Sequence, residues 1–229
     1  SLFQAYRCLS QKRQSYNLIF LASCEEEISG KNGIESVLNQ LPPISLGIVG
    51  EPTQMQPAVA EKGLMVLDVV SKGKAGHAAR EEGINALYLA IEDINWFKSH
   101  KFPKSSPLLG DVKMSVTQIN AGSQHNVIPD ICNFVVDIRS NENWSNEELF
   151  QEIKTNIKSE ATARSFRLNS SKIDINHPFV KRCVELGLTP FGSPTLSDQA
   201  LMNFPSIKIG PGKSSRSHTA DEYIMLNEI

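Results

Sequence analysis

The hydrophobic periodicity of this chain changes near residue 62 and changes back near residue 170, and that interruption constrains its fold more than any other feature. Before the first change, residues 17–23 (NLIFLAS) form a short, almost uniformly apolar run, the pattern of a strand buried on both faces. Ile34, Val37, Leu38 and Leu41 then recur at helical spacing, Pro42 and Pro43 break the pattern, and residues 46–49 form a second apolar run. Strand, helix, strand in this order predicts an α/β layer, whose ligands gather at the carboxyl ends of the strands. After residue 170 the same pattern resumes. A helix starts at Pro178 and stops by Gly187, a strand is expected over 206–209, and Gly210-Pro211-Gly212 makes a turn.

The intervening stretch alternates differently. A strand over 64–71 precedes a helix over 84–97, with Ile84, Leu87, Tyr88, Ile91 and Ile94 on one stripe. A strand over 112–120 follows, then one over 131–139 with Cys132, Phe134, Val136 and Ile138 on one face and Asn133, Asp137 and Arg139 on the other. Ser145 and Glu148 make a capping box for a helix carrying Leu149, Ile153 and Ile157, and residues 165–168 are expected to close as a strand. The order β-α-β-β-α-β is that of a ferredoxin-like sandwich. The expected fold class is therefore α/β: residues 1–61 and 170–229 form one domain, and residues 62–169 form a ferredoxin-like domain inserted into it.

Composition excludes several functions. The formal charge is −2, from 23 basic and 25 acidic residues, and the cations are scattered, so no basic field is available for nucleic acid. The longest apolar run is far short of the ~20 residues that span a bilayer. The four cysteines, Cys8, Cys24, Cys132 and Cys183, form no C-x-x-C pair and are expected to be free thiols in a cytoplasmic protein. The chain does not open on Met; it begins in a helical pattern and stops abruptly at Ile229, so a fragment of a longer polypeptide is expected.

Acids stand where an open α/β sheet would use them. Glu25, Glu26 and Glu27 follow the first apolar run, and Glu51 follows the second, between Gly50 and Pro52. Taken alone, the first cluster also suits a solvated acidic turn, and Glu51 a surface loop. Two strand ends supplying carboxylates to one crevice would suit a metal ion. His218, in a Ser- and Gly-rich loop, can coordinate through a neutral imidazole nitrogen or stand exposed. His77, Asn126 and Arg139 lie in the inserted stretch, where Asn126 and Arg139 suit a carboxylate or carbonyl as well as structural roles. Serine-hydrolase elbows, Walker loops and dinucleotide fingerprints are missing from the sequence, which leaves metal-assisted hydrolysis.

The ordered set CEEEISG, IVGEPT, KGKAGHAAR, HNVIPD, DIRSN and SHTADEYI resembles the dizinc aminoacylase and carboxypeptidase family, which includes acetylornithine deacetylase, desuccinylase and aminoacylase. The resemblance implies a zinc-aminopeptidase-like catalytic domain carrying a lid that makes a homodimer. It implies that Glu26 is the general base and that Glu27, Glu51 and His218 are metal ligands. His77 would reach the partner subunit's active site to polarise the scissile carbonyl, and Asn126 and Arg139 would hold the substrate. Two Zn2+ ions, replaceable by Co2+, would serve each site of the full-length protein, and the substrate would be a small N-acyl amino acid, N-acetylornithine first. A desuccinylase, an acetylcitrulline or acetyl-lysine deacetylase and a dipeptidase are the near alternatives. A non-catalytic dimerisation or binding module is the alternative of another class. The family's His-x-Asp motif and bridging Asp, which lie upstream of a helix like SLFQAYRCLS, are not in this sequence, so this segment alone is expected to be inactive.

Overall fold

The computed structural model describes residues 2–229. In chain order its helices and strands are α1 Leu2–Ser10, α2 Glu35–Leu38, β1 Gly47–Val49, β2 Ala58–Glu61, β3 Met65–Lys72, β4 Gly76–His77, α3 Ala86–Ser99, β5 Lys113–Ala121, β6 Val127–Ile128, β7 Ile131–Arg139, α4 Asn146–Asn156, β8 Glu160–Ala163, β9 Ser171–Lys172, α5 Pro178–Glu185, β10 Phe191–Ser193 and β11 Ser206–Lys208. The chain divides into two compact units, Ser1–Glu61 with Ser171–Ile229, and Lys62–Ser170.

The first unit holds a mixed sheet in the order β1-β11-β2-β10, with β9 paired to β2. β1 and β11 run parallel with Val49 opposite Lys208, so both chains leave the sheet at the same edge, towards Glu51 and Gly210. β2, a run of four buried residues, pairs antiparallel with β11 and parallel with β10. Val59, Ala60 and Ile207 are inaccessible to solvent, and Val180 and Cys183 of α5 are buried. Pro178 occupies the first turn of α5, where its missing N–H costs nothing, and the His177 ring accepts from the Phe179 N–H.

The apolar run at 17–23 is not a strand. It joins no ladder, and Ile19, Phe20 and Leu21 are 46%, 39% and 37% exposed. Uniform apolarity marks a buried strand only where a neighbour takes its backbone hydrogen bonds. Here the described residues supply none, and the run lies against α1 through Phe3–Phe20 and Tyr6–Phe20 ring contacts at 5.3 and 5.6 Å.

The second unit is the ferredoxin-like sandwich. Its sheet order is β5-β7-β3-β8, every pair antiparallel. In order of appearance within the unit the strands thus stand second, third, first, fourth across the sheet, the arrangement in which both helices cross one face. That face is the core. Met65, Leu67 and Val69 of β3 and Cys132, Phe134, Val136 and Ile138 of β7 alternate inward, meeting Leu149 and Ile153 of α4. Each fully buried side chain of this size contributes about 1.5–3 kcal/mol.

Two expected features of this unit move. α3 buries Ala86, Ala90, Asp93 and Phe97, and Leu87 and Ile94 of the expected stripe pack against the core, while Ile84, Tyr88 and Ile91 are 53%, 67% and 43% exposed. The larger apolar residues made the more visible stripe, but small alanines are what let a helix approach a sheet. The closing strand is 160–163 rather than 165–168. Its inward residues are Ala161 and Ala163, too small to signal a strand, whereas Phe166 packs on the core from a loop. The capping box of α4 forms as expected: the Ser145 hydroxyl accepts from the Glu148 N–H at 3.1 Å, and the Glu148 carboxylate accepts from the Ser145 N–H at 2.8 Å.

Candidate active site

The three glutamates after the apolar run separate in role. Glu25 adopts φ 58°, and its carboxylate accepts from the Asn32 N–H at 3.1 Å and the Asn32 side-chain amide at 3.0 Å. It closes the turn. Glu26 and Glu27 begin the short 3-10 helix Glu26–Ile28 that Glu25 introduces, Glu26 half-buried and Glu27 exposed. Glu27 Oε2 lies 3.7 Å from His218 Nε2, with both side chains about three-quarters exposed, at 76% and 77%.

Glu51 is placed by two stapled turns. Thr53 N–H and Met55 N–H both donate to the Gly210 carbonyl, and Gly210 N–H donates to the Thr53 hydroxyl. A Cβ on Gly210 would stand 2.6 Å from the Glu51 carbonyl, so only glycine permits this approach. The Glu51 carboxyl is held above its ordinary value, chiefly by burial, with the Lys208 ammonium opposing and Glu61, Glu27 and Asp198 adding to the rise. Glu26 is raised as well, first by burial, then by Glu51, Asp198 and Glu27. Glu26, Glu27, Glu51 and Asp198 thus share one electrostatic neighbourhood in the first unit.

The fit to a metal ion is partial. Two donors on one tetrahedral zinc, bound at about 2.0–2.2 Å, sit roughly 3.3 Å apart, so the Glu27–His218 pair needs little adjustment to share an ion. Among the described residues no three His, Cys, Asp or Glu side chains converge as a ready metal site, and Glu51 does not close the pair into one.

Three residues went unnoticed in the sequence. Glu61, at the end of β2, is fully buried and meets Lys208 Nζ at 3.2 Å; that ammonium, its side chain 3% exposed, also donates to the Thr195 carbonyl at 3.0 Å. Glu61 further accepts from the Ser197 hydroxyl at 2.7 Å. Asp198 follows directly and accepts from the Ser23 hydroxyl at 2.8 Å. The signal for Glu61 was present, since AVAE repeats the pattern of an acid ending an apolar run. A lysine inside SIKIG carries no such signal.

In the second unit β4 and β6 pair as a small ribbon that brings two candidates together. His77 lies opposite Val127, and the Ala78 N–H donates to the Asn126 carbonyl at 2.9 Å. His77 Nδ1 accepts from the Ala79 N–H at 3.1 Å, so the proton of the neutral ring sits on the outward Nε2. Arg139 stands apart at the end of β7. Its Nε and Nη2 donate to the two carboxylate oxygens of Asp137, at 2.8 and 3.0 Å, so its bidentate grip is taken within its own strand.

The peptidase dimerisation domain family, of the M20 type, matches residues 59–164. The chain is 22% identical over 242 residues to an acetylornithine deacetylase of Proteus mirabilis, covering 97% of this chain and 62% of that enzyme. It is 26% identical over 184 residues to a succinyl-diaminopimelate desuccinylase of Orientia tsutsugamushi, covering 75% and 47% respectively. The chain therefore spans about half the length of the curated relatives it matches. Among solved structures, an aminopeptidase from Bacillus cereus superposes with a TM-score of 0.66 at 17% identity, over 83% of this chain and 55% of that one. A dinuclear metal-binding peptidase of the M20 family from Bacillus subtilis gives 0.59 at 19% identity, over 87% and 57%. Residues 59–164 thus match the peptidase dimerisation domain family, and the fold of the chain resembles that of the solved peptidases on which it superposes.

Proposed function

We propose that the protein to which this chain belongs is a metal-dependent amidohydrolase that removes an acyl group from the α-nitrogen of a small amino acid, with N-acetylornithine its first candidate substrate. The observation that carries this reading is the meeting of Glu27 and His218 at 3.7 Å beside the burial-raised carboxyls of Glu26 and Glu51. Relatives named acetylornithine deacetylase and succinyl-diaminopimelate desuccinylase support the substrate class. The desuccinylase is the nearest alternative, because the acyl pocket is not identified by these residues.

Glu27 and His218 would hold one Zn2+ and Glu51 would serve a second, and when bound the ions supply Lewis acidity to water and to the scissile carbonyl. Glu26 takes the proton from the attacking water and passes it to the departing amine, a task suited to a carboxyl whose proton affinity is above the ordinary glutamate value. The Nε2–H of His77 donates to the developing oxyanion. Asn126 holds the substrate beside it, and Arg139 takes the α-carboxylate by exchanging or sharing its grip on Asp137. The second unit leaves Tyr88 and Ile91 of α3 open, with Ile84 just before it, an apolar face suited to a second copy, through which His77 would act in the partner's site.

Exhaustive chelation tests this. Hydrolysis of N-acetylornithine by the native protein should vanish with chelator and return with Zn2+ or Co2+. Full activity in the chelated protein would remove the metal from the account.

A further inference from the structure

The segment that carries Glu26 and Glu27 has a single 3-10 turn, Glu26–Ile28, as its regular structure. Between α1 and Glu26 lies neither helix nor strand, and the turn at Glu25 and Ser29 uses left-handed backbone in non-glycine residues. Its internal bonds close the turn, and contacts from outside the segment add to what fixes where the two carboxylates point.

The loop that carries Asp198 is anchored by its own hydrogen bonds. Ser197 and Gln199, both buried, flank Asp198 and are anchored separately: Ser197 by its N–H and hydroxyl to Glu61, Gln199 by its side-chain amide to the Ser206 carbonyl at 3.0 Å. Lys208 holds Thr195, three residues earlier, and closes the ion pair with Glu61. Burying that pair is costly, and a well-packed apolar pair usually serves stability equally well. Its position makes sense as a clamp on the loop. Asp198 is thereby a carboxylate held on both sides, and a side-chain hydrogen bond from Ser23 Oγ to Asp198 Oδ2, at 2.8 Å, joins this loop to the glutamate segment.

We infer that Asp198 is a positioning residue for Glu26 and Glu27, acting through Ser23 and clamped by the Glu61–Lys208 pair. The assignment rests on the proposed hydrolytic reading for its catalytic consequence, though not for its structural one. Asp198 touches no reacting atom in this scheme; it fixes the segment from which the base and a metal ligand project.

Hydrogen exchange and kinetics separate the two. The Ser29, Gly30 and Asn32 amides, bonded to the Glu26 carbonyl, the Glu25 carbonyl and the Glu25 carboxylate, report on the glutamate turn. In Ser23→Ala and in Asp198→Ala they should exchange about tenfold faster, the worth of one surface hydrogen bond to a carboxylate. The double variant should exchange no faster than either single one. Asp198→Asn keeps an acceptor for the hydroxyl and should retain most of the protection. In the native protein, kcat on the acyl amino acid should fall in the alanine variants with little change in KM, and recover in Asp198→Asn. Unchanged exchange in Ser23→Ala, additive effects in the double variant, or protection lost evenly over residues 2–61 would overturn the inference. If Asp198→Ala does not fold, Ser23→Ala and Asp198→Asn decide it. If the wild-type protein hydrolyses no acyl amino acid, the functional reading fails while the exchange pattern still decides the positioning role.

Discussion

Lys208 carries a positive charge where a strand residue would ordinarily be apolar, and its environment explains how. Glu61 and the Thr195 carbonyl take its donors, and the carboxyls of Glu51 and Glu26 lie within its field. Removing one member of such a pair leaves an uncompensated buried charge, whereas removing both does not. Lys208→Met should therefore cost about 3–5 kcal/mol, and Lys208→Met with Glu61→Leu should recover most of it. Chemical denaturation of the two variants checks this; equal losses in both would mean that the pair is not an energetic unit. The glutamate cluster was visible in the sequence because it follows a hydrophobic run. The division of labour within it was not: Glu25 differs from its neighbours only through Asn32, a contact that depends on left-handed backbone no local pattern announces.

The elements that alternate large apolar residues were the legible ones. β7 was placed with its inward face intact, because Cys132, Phe134, Val136 and Ile138 leave no other choice of side. β8 was missed because alanines line its inner face, and it is held by what crosses from β3. Its register sets Asp68 opposite Thr162, and Arg164, just beyond the strand, grips Asp68 with two hydrogen bonds of 2.7 and 2.8 Å. That hydrogen bonding keeps the Asp68 carboxyl below its ordinary value. A depressed folded value means stability that is present above the unfolded pKa of about 3.9 and is lost as pH falls through the folded one. The pair is half exposed, so the effect is small. Asp68→Asn should melt slightly below the wild type near neutral pH, and the gap should close in acid as the pH falls through the depressed folded value. Melting curves across that range check it, and a gap that persists unchanged in acid would assign the loss to packing instead.

At the scale of the whole molecule, the change of periodicity at 62 and 170 made the two-part architecture readable, since a ferredoxin-like order of strands cannot continue an α/β sheet. The run at 17–23 has a strand's composition without being one for a reason of the same scale: a buried strand is a property of its neighbours, and none of the described residues pairs with it. The match of residues 59–164 to a dimerisation domain suggests a direct experiment on subunit roles. Full-length His77→Ala mixed with full-length Glu26→Gln, under conditions of subunit exchange, should regain part of the activity each lacks. Heterodimers without recovery would confine His77 to its own subunit. The central claim is that Glu26 does chemistry beside a metal that others hold. Measuring metal content together with kcat for Glu26→Gln tests it most directly. The account predicts bound metal close to the wild-type level with turnover reduced by roughly a hundredfold or more, whereas loss of the metal, or turnover that stays near wild type, would contradict it.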